Sequence, residues 1–199
     1  MKNFCSALLE TLLMVLLIGV CTAQERPIVL IAYYSAGGHT RTLAEAVAKG
    51  ARSIEGVEVK LLSVTEATTD DVRKADAIVV GSPVYNANVA PPVQQFINQW
   101  PFSGSPLRDK LGAAFVTAGG ISAGEELVQL NILHSMLVFG MIVVGGPDWT
   151  TAFGASVIVE EQPSGEKANK KAGEEYYLRK GEGLGRRVAE LTVKWKHAR

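Results

Sequence analysis

The stretch that most constrains this chain is an apolar run that ends in a short glycine-rich loop. Residues 27–34 are continuously apolar, which is typical of a strand buried on both faces of a parallel sheet. Residues 35–40 are small and polar, and residues 41–54 carry apolar side chains at helical spacing. Backbone N–H groups and the positive end of a helix dipole converge at such a junction. We therefore predict an anion site, most simply for phosphate, at residues 35–40.

The composition of this first loop favours a monophosphate. The hydroxyls of Ser35 and Thr40 can hydrogen-bond to phosphate oxygens, while Gly37 and Gly38 let the backbone approach closely. The loop has neither the Gly-Lys-Ser/Thr of an ATP-binding loop nor the glycine spacing of a dinucleotide-binding loop. The alternative is an ordinary glycine-rich turn between a strand and a helix.

Strand and helix patterns alternate along the rest of the chain. Further strands are predicted at residues 57–64, 76–81, 110–117 and 140–145, and further helices at 68–74, 88–100, 124–138 and 174–196. Strict alternation predicts a doubly wound α/β fold, with a parallel sheet covered by helices on both faces. In the last helix, Gly181, Gly183 and Gly185 permit close approach to the sheet. Ligands of such folds bind beyond the carboxyl ends of the strands.

Two more loops leave those strand ends. Residues 81–88 contain Pro83, a flat Tyr85 and the amides Asn86 and Asn88, which are suited to the edge of a planar heterocycle. The alternative is that Asn88 caps the following helix. Residues 117–124 are rich in glycine and can pass close to the same ring. Here the alternative is a flexible link and a helix start at Ser122, with Glu125 completing a capping box.

The amino-terminal segment reads as a leader. Residues 1–23 combine Lys2 with a long apolar run and small residues before Gln24, as in a cleaved signal peptide. The remaining residues 24–199 form one domain. Export to the periplasm or the extracellular space follows if the leader is cleaved. The alternatives are a membrane anchor, because residues 4–23 carry one charge, a lipoprotein-like cleavage at Cys21, and a cytoplasmic protein with a mis-assigned start.

Composition excludes several classes of function. Both cysteines, Cys5 and Cys21, lie in the leader, so the domain has no disulfide, thiolate metal site or cysteine nucleophile. The three histidines are far apart and lack metal-ligand spacing, so we predict no metal. The 20 basic and 20 acidic residues balance, and no basic run with interleaved aromatics indicates nucleic acid.

Taken together, the three loops resemble the flavodoxin-like superfamily, and most closely NAD(P)H:quinone oxidoreductases of the tryptophan-repressor-binding-protein type. The resemblance covers roughly residues 28 to 195. It is carried by Tyr33-Tyr34-Ser35, Gly38-His39, residues 44–51, Gly81-Ser82-Pro83, Asn88, Phe96, Gln99, Gly140-Met141, residues 153–156 and residues 162–164.

The resemblance implies a five-stranded sheet of order 2-1-3-4-5, bound FMN, and NADH or NADPH as co-substrate. It places the FMN phosphate on the first loop and the isoalloxazine between the other two. The implied cofactor-binding residues are Ser35, Ala36, Gly37, Gly38, His39, Thr40, Ser82, Pro83, Val84, Tyr85, Asn86, Asn88, Thr117, Ala118, Gly119, Gly120, Ile121 and Ser122. It also implies a homo-oligomer.

The departures from that family concern the donor and acceptor side. Gly37 replaces a tyrosine that helps to hold the nicotinamide nucleotide, and Val84-Tyr85-Asn86 replaces Thr-Arg-Phe. Phe139 replaces a histidine beside the flavin, and Phe102 replaces a tryptophan of the substrate cavity. We therefore expect Phe102 and Phe139 to line the substrate site.

The resulting hypothesis is an FMN-dependent oxidoreductase that moves two electrons from a reduced nicotinamide to a quinone-like acceptor. The sequence offers no obvious acid–base residue, and the flavin supplies the chemistry. The alternative is an FMN electron carrier of the flavodoxin type, without its own substrate turnover. A third reading is a doubly wound domain whose phosphate loop has lost its ligand.

Overall fold

The computed structural model describes residues 25–159 and 170–198. The predicted leader therefore lies outside the described residues. The elements follow one another as β1 (Ile28–Tyr33), α1 (His39–Arg52), β2 (Glu58–Ser63), α2 (Thr69–Lys74), β3 (Ala77–Tyr85), β4 (Asn88–Val89), α3 (Pro91–Asn98), β5 (Leu111–Ala118), α4 (Glu125–Val138), β6 (Ile142–Val143), a 3-10 turn (Trp149–Thr151), β7 (Ala155–Ile158) and α5 (Lys170–His197). Within the described ranges, no helix is both long and apolar enough to cross a membrane.

The sheet confirms the predicted doubly wound topology. Strands β2, β1, β3 and β5 lie side by side and are parallel, and β6 and β7 both pair with β5 in parallel. Leu111 at the start of β5 is in register with Ile142, while Phe115 nearer its end is in register with Ala155. The fifth position of the order 2-1-3-4-5 is thus one strand in two pieces, interrupted by residues 144–154. The strand predicted at residues 140–145 covers only its first piece.

Each face of the sheet buries its own apolar core. One face packs against α2, α3 and α4, and the other packs against α1 and α5. Alternation along β1 shows the division, because Leu30 lies in the first core while Val29 and Ile31 lie in the second. Strands covered on both faces explain the unbroken apolar run that the sequence shows at this position.

Helix α5 crosses α1 at very short range. A Cβ atom on Gly50 would overlap the carbonyl of Glu182, and one on Gly185 would overlap the carbonyl of Val47. Gly181 packs on Leu43 of α1 as well. Gly181 and Gly185 therefore permit close approach to a neighbouring helix, while Gly183 faces Pro147, and the prediction that these glycines approach the sheet is wrong.

The helix predicted at residues 88–100 begins later, at Pro91. Asn88–Val89 forms β4 instead, which pairs with the end of β3 as an antiparallel hairpin. Pro91 stands at the first position of α3, where its missing N–H and fixed φ cost nothing. The alternative reading of Asn88 as the cap of this helix is therefore wrong, since the capping position is Ala90.

Helix α2 is short and depends on its capping box. The Asp71 carboxylate accepts hydrogen bonds from the Thr68 N–H (3.0 Å) and hydroxyl (2.6 Å), while the Asp71 N–H donates to the Thr68 hydroxyl (3.2 Å). Lys60 donates to the other carboxylate oxygen at 3.0 Å. These hydrogen bonds hold the pKa of Asp71 at about 2, below its ordinary value of 3.8, and the bond from the Thr68 hydroxyl has the largest effect.

Replacing Asp71→Ala should lower the free energy of unfolding at pH 7 by ~1–2 kcal/mol, because the box and the Lys60 pair are lost together. The control is Asp70→Ala, in the same turn but paired only with Lys74 at the surface, which should cost less than ~0.5 kcal/mol. Urea unfolding measures both. Because the folded pKa is depressed, the Asp71 contribution is present above pH ~4 and is lost as the pH falls from 3.8 towards 2. Equal losses for the two variants, or a gap that widens in acid, would contradict the assignment.

Candidate functional site

Three loops meet at one edge of the sheet, where β1, β3 and β5 end side by side. The Tyr34 N–H donates to the Gly81 carbonyl at 3.1 Å, which ties the end of β1 to β3. The hydroxyls of Thr40 and Thr117 are 2.8 Å apart, which ties α1 to β5. Gly124 lies directly against Ala87. The three loops that the sequence singled out therefore form one continuous surface.

The first loop presents the bare end of a helix. Gly38 is the N-cap of α1 with φ of 92°, no side chain caps the helix, and its first turn contains no acidic residue. By contrast, α2 and α4 each begin with two acidic residues. The free N–H groups and the dipole of α1 are thus left for an anion that comes from outside the chain. An added Cβ on Gly38 would meet no atom within 4 Å, so the space above the loop is open.

The hydroxyl groups of Ser35, Thr40 and Thr117 leave two protons without an acceptor among the described residues. The Ser35 oxygen accepts from the Gly38 N–H at 3.1 Å, which leaves the Ser35 proton available to a ligand. Thr40 is 2% exposed and Thr117 is also buried. One of these two hydroxyls donates to the other, so the second proton still requires an acceptor. A phosphate oxygen would meet both requirements, and the residues present therefore fit a phosphate group.

The second loop is a tight hairpin turn that exposes an aromatic face. Asn86 and Ala87 have φ of 51° and 59°, the left-handed pair typical of two-residue hairpins. The Asn88 amide donates to the Asn86 carbonyl at 2.9 Å and so stabilises the turn. Tyr85, at the end of β3, is 40% exposed. Its ring can lie against a planar ligand.

Ser82 has a structural part in this hairpin. Its side chain is buried, its hydroxyl donates to the Pro83 carbonyl at 2.7 Å, and its oxygen accepts from the Ala90 N–H at 3.0 Å. The Ser82 hydroxyl is therefore not available to donate to a ligand, because its proton is already used within the chain and the side chain is buried.

The third loop brings a carboxylate beside the site. The Ser122 N–H donates to Glu125 Oε1 at 3.2 Å, while Oε2 is buried without a hydrogen-bond partner among the described residues. Helix α4 begins at Glu125 and not at Ser122, which has φ of 60°. The sequence indicated Glu125 only as a capping residue. The burial of its second oxygen without a partner among the described residues was readable only from the structure.

The charges around the first loop balance. Arg41, in the first turn of α1, pairs with Glu45 at 3.1 Å and lies near Glu66. Hydrogen bonds from Ser63, together with Arg41, lower the pKa of Glu66. A phosphate at residues 35–40 would therefore depend on backbone N–H groups and hydroxyls, since the nearby arginine already serves two carboxylates.

The predicted substrate residues lie elsewhere. Phe102 precedes β5 and Phe139 precedes β6, so both lie at the amino ends of the strands, opposite the three loops. Their rings contact each other, with centroids 5.7 Å apart. Within one chain these two residues therefore lie away from the three loops, and their assignment to the substrate site stays a prediction.

The sequence of this chain matches known proteins over most of its length. The profile of the family described as NADPH-dependent FMN reductase matches residues 64–156. A protein of Aquifex aeolicus named "Flavodoxin" is 35% identical, over 83% of this chain and 86% of that protein. A protein of Azorhizobium caulinodans named "NAD(P)H dehydrogenase (quinone)" is 36% identical, over 60% of this chain and 70% of that protein.

The fold is shared with solved structures. One, described as a flavodoxin, WrbA-like protein from Agrobacterium tumefaciens, superposes with a TM-score of 0.68 at 19% identity, over 84% of this chain and 98% of that chain. Similarity at this level of identity establishes the doubly wound flavodoxin-like fold.

The left-handed backbone at Gly38 yields a prediction about stability. Gly38→Ala should lower the free energy of unfolding by ~1–2 kcal/mol, because an L side chain is strained at φ of 92°. The matched control is Gly37→Ala, next to it, where a Cβ would meet only the His39 ring at 3.7 Å. That change should cost less than ~0.5 kcal/mol. Thermal or urea unfolding without ligand gives both values, and equal losses would show that the loop does not hold this conformation.

Proposed function

Because this chain belongs to the flavodoxin-like NAD(P)H:quinone oxidoreductase and FMN reductase family, we propose that it passes two electrons from NADH or NADPH, through FMN, to a quinone-like acceptor. Membership of the family makes the protein an FMN-dependent NAD(P)H oxidoreductase. The acceptor and the residues that bind FMN are the parts we infer. The observation that carries them is the bare amino end of α1 beside two exposed loops at the switch point of the sheet.

The FMN phosphate would be held by the first loop. The backbone N–H groups of residues 36, 37, 39 and 40 and the Ser35 hydroxyl are available as donors, and the open space over Gly37 and Gly38 admits the phosphate. The hydroxyl of the Thr40–Thr117 pair that still has a proton to donate would hydrogen-bond to a phosphate oxygen. These contacts need no lysine or metal ion.

The isoalloxazine would lie between the second and third loops. Tyr85 offers an exposed flat face, and Ile121, which is half exposed, offers an apolar one. The amides of Asn86 and Asn88 and the backbone of residues 118–122 provide donors and acceptors for the ring edge. Glu125 holds the third loop in place, since its Oε1 accepts from the Ser122 N–H at 3.2 Å.

Bound FMN supplies hydride acceptance and two-electron delivery. The chain's part is to bind, orient and leave one face of the ring open, so that donor and acceptor can occupy it in turn. Tyr85 and Ile121 are exposed in this structure, so the access route lies over them. None of the described residues is assigned a proton-transfer step, because hydride transfer to a flavin and release of a reduced quinone can exchange protons with water.

A second candidate function is electron carriage without turnover. The similarity to the Aquifex protein named "Flavodoxin" favours it. A carrier would take up its two electrons in two well-separated steps, whereas a two-electron reductase would take them up together. A reductive titration of the FMN-loaded protein, followed by absorbance, distinguishes these two patterns.

The direct test is anaerobic reduction. The full chain is loaded with FMN, freed of excess flavin, and mixed with NADH or NADPH without oxygen. We expect the flavin absorption to bleach, and a soluble short-chain benzoquinone to restore it. Flavin that binds but does not bleach with either nucleotide would contradict the reductase. Bleaching that no quinone reverses would leave the reductase standing and contradict the proposed acceptor.

Ser35→Ala should weaken FMN binding by about tenfold or more, because a hydrogen bond to a charged phosphate is lost. The matched control is Ser53→Ala at the other end of α1, where the hydroxyl donates to the Gly50 carbonyl. Flavin fluorescence titration gives both dissociation constants. An unchanged constant for Ser35→Ala, or an equal loss in the control, would place the phosphate away from the first loop.

A further inference from the structure

We propose that Thr117 is a positioning residue for the FMN phosphate, and that it acts through the hydroxyl of Thr40 without touching the phosphate itself. In this arrangement Thr117 donates to Thr40, and Thr40 donates to a phosphate oxygen. The pair then makes the site selective for FMN over riboflavin, which is the same flavin without the phosphate. The inference rests on the proposed function, because it takes FMN as the bound cofactor.

The two hydroxyls belong to different elements and meet in the interior of the domain. Thr40 is the second residue of α1, and Thr117 is the last but one of β5. Their oxygens are 2.8 Å apart, and the two residues are 2% and 4% exposed. The hydrogen bond joins positions 77 residues apart in the chain. It connects the end of the first loop with the start of the third.

The pair lies where an otherwise apolar interface ends. The side chains through which β5 and α1 enter the shared core are apolar: Leu111, Ala113 and Phe115 from the strand, and Leu43, Ala44 and Val47 from the helix. Thr117 continues the alternation of the strand, and Thr40 lies one helical turn before Ala44. Apolar side chains of the same size would complete this packing without the cost of burying hydroxyls. A polar partner therefore explains the two threonines better than packing does.

The count of protons shows which group lacks a partner. Every other buried serine, threonine or glutamine in the described part of the chain donates to a backbone carbonyl: Ser82 to Pro83, Gln129 to Ala155, Thr151 to Asp148 and Thr192 to Val188. The Thr40–Thr117 pair uses one proton in its mutual hydrogen bond, and no described residue accepts the second. A buried donor without an acceptor is costly, so we assign this second proton to a ligand.

The charge of the ligand decides which hydroxyl holds that proton. Residues 36–39 are exposed and immediately precede Thr40, so Thr40 is the member of the pair that belongs to the phosphate loop. Phosphate oxygens are strong hydrogen-bond acceptors. Thr40 therefore donates to the phosphate and accepts from Thr117. In the reverse direction, the lone pairs of the Thr40 oxygen would face the anion.

Thr117 strengthens the phosphate contact in two ways. A hydroxyl that accepts a hydrogen bond becomes a better donor, because bonds in a chain polarise one another. The bond from Thr117 also holds the Thr40 hydroxyl in the donating direction before the ligand arrives. Riboflavin carries no anion, so neither effect favours its binding. The contribution of Thr117 should therefore appear in the affinity for FMN and be absent from the affinity for riboflavin.

The test compares FMN with riboflavin in the full ligand-free chain by titration of flavin fluorescence. Thr117→Val keeps the shape of the side chain and removes the hydroxyl. We expect the dissociation constant for FMN to rise about five- to tenfold and that for riboflavin to change less than about twofold. Thr117→Ser, which keeps the hydroxyl, should retain at least about half of the wild-type selectivity. The matched control is Thr192→Val, which removes a buried hydroxyl that bonds only within α5 and should leave both constants unchanged.

A double-variant cycle separates action through Thr40 from direct contact. Thr40→Val should weaken FMN binding by about tenfold or more, and adding Thr117→Val should then change the constant by less than about twofold. A further loss as large as that of Thr117→Val alone would show that Thr117 contacts the cofactor directly, and would overturn the proposal. An unchanged FMN constant in Thr117→Val, or an equal weakening of riboflavin binding, would overturn it as well.

The proposed function is tested separately from this role. Thr117→Val saturated with FMN should bleach with the same nucleotide as the wild type, and loss of bleaching at saturation would contradict a role confined to the phosphate. If wild-type protein binds FMN and neither NADH nor NADPH bleaches it, the reductase is contradicted while the affinities still decide the role of Thr117. If the wild type binds FMN no more tightly than riboflavin, the first loop does not hold the phosphate, and the proposal is overturned.

Discussion

The packing of one ring against one glycine fixes the part of the sheet on which the site depends. Phe115 is the largest of the fully buried side chains, and its ring occupies the space that a side chain at Gly81 would need. Gly81 and Phe115 are register partners in β3 and β5. Any other residue at 81 would push these strands apart or shift their pairing. The loops that follow β3 and β5 are therefore held side by side before any ligand is present.

At the edge that carries the three loops, several polar groups lack a hydrogen-bond partner within the described part of the chain. Helix α1 begins without a side-chain cap, the Thr40–Thr117 pair has a proton to spare, and one oxygen of Glu125 is buried without a partner in the described part of the chain. Helix α2 satisfies such groups within the chain through the Thr68–Asp71 box, whereas α3 and α4 also begin without a side-chain cap. The physical reason to assign the first loop to a ligand is therefore the combination of an uncapped helix start with hydroxyls that have a proton to spare.

Much of the fold was predictable because it rests on long, regular signals. The buried run before Ser35, the strand and helix alternation, and the sheet order all follow from apolar patterning and from resemblance to a known superfamily. What escaped prediction has short or non-local causes. Two-residue strands such as β4 and β6 have no readable alternation, and the second piece of the fifth strand, β7, joins the sheet only through its pairing with the end of β5.

The candidate site was predictable to a similar degree. Each of the three loops follows a strand of a parallel sheet, and this position correctly predicted that they meet at one edge. The same rule would have placed Phe102 and Phe139 at the other edge, because each precedes a strand, but the resemblance assigned them to the substrate site instead. The buried role of Ser82 depends on a hydrogen bond across the hairpin from the Ala90 N–H, which the sequence does not signal, whereas the bond from the Ser122 N–H to Glu125 has the three-residue spacing of a capping box.

The measurement that tests the central claim most directly is amide hydrogen exchange of the full chain with and without saturating FMN. The account predicts slower exchange in residues 36–40, 84–88 and 118–124, with no change in residues 101–109 and 138–142 at the opposite edge. Protection that falls outside the three loops, or is absent while flavin remains bound, would contradict the assignment of this edge as the cofactor site.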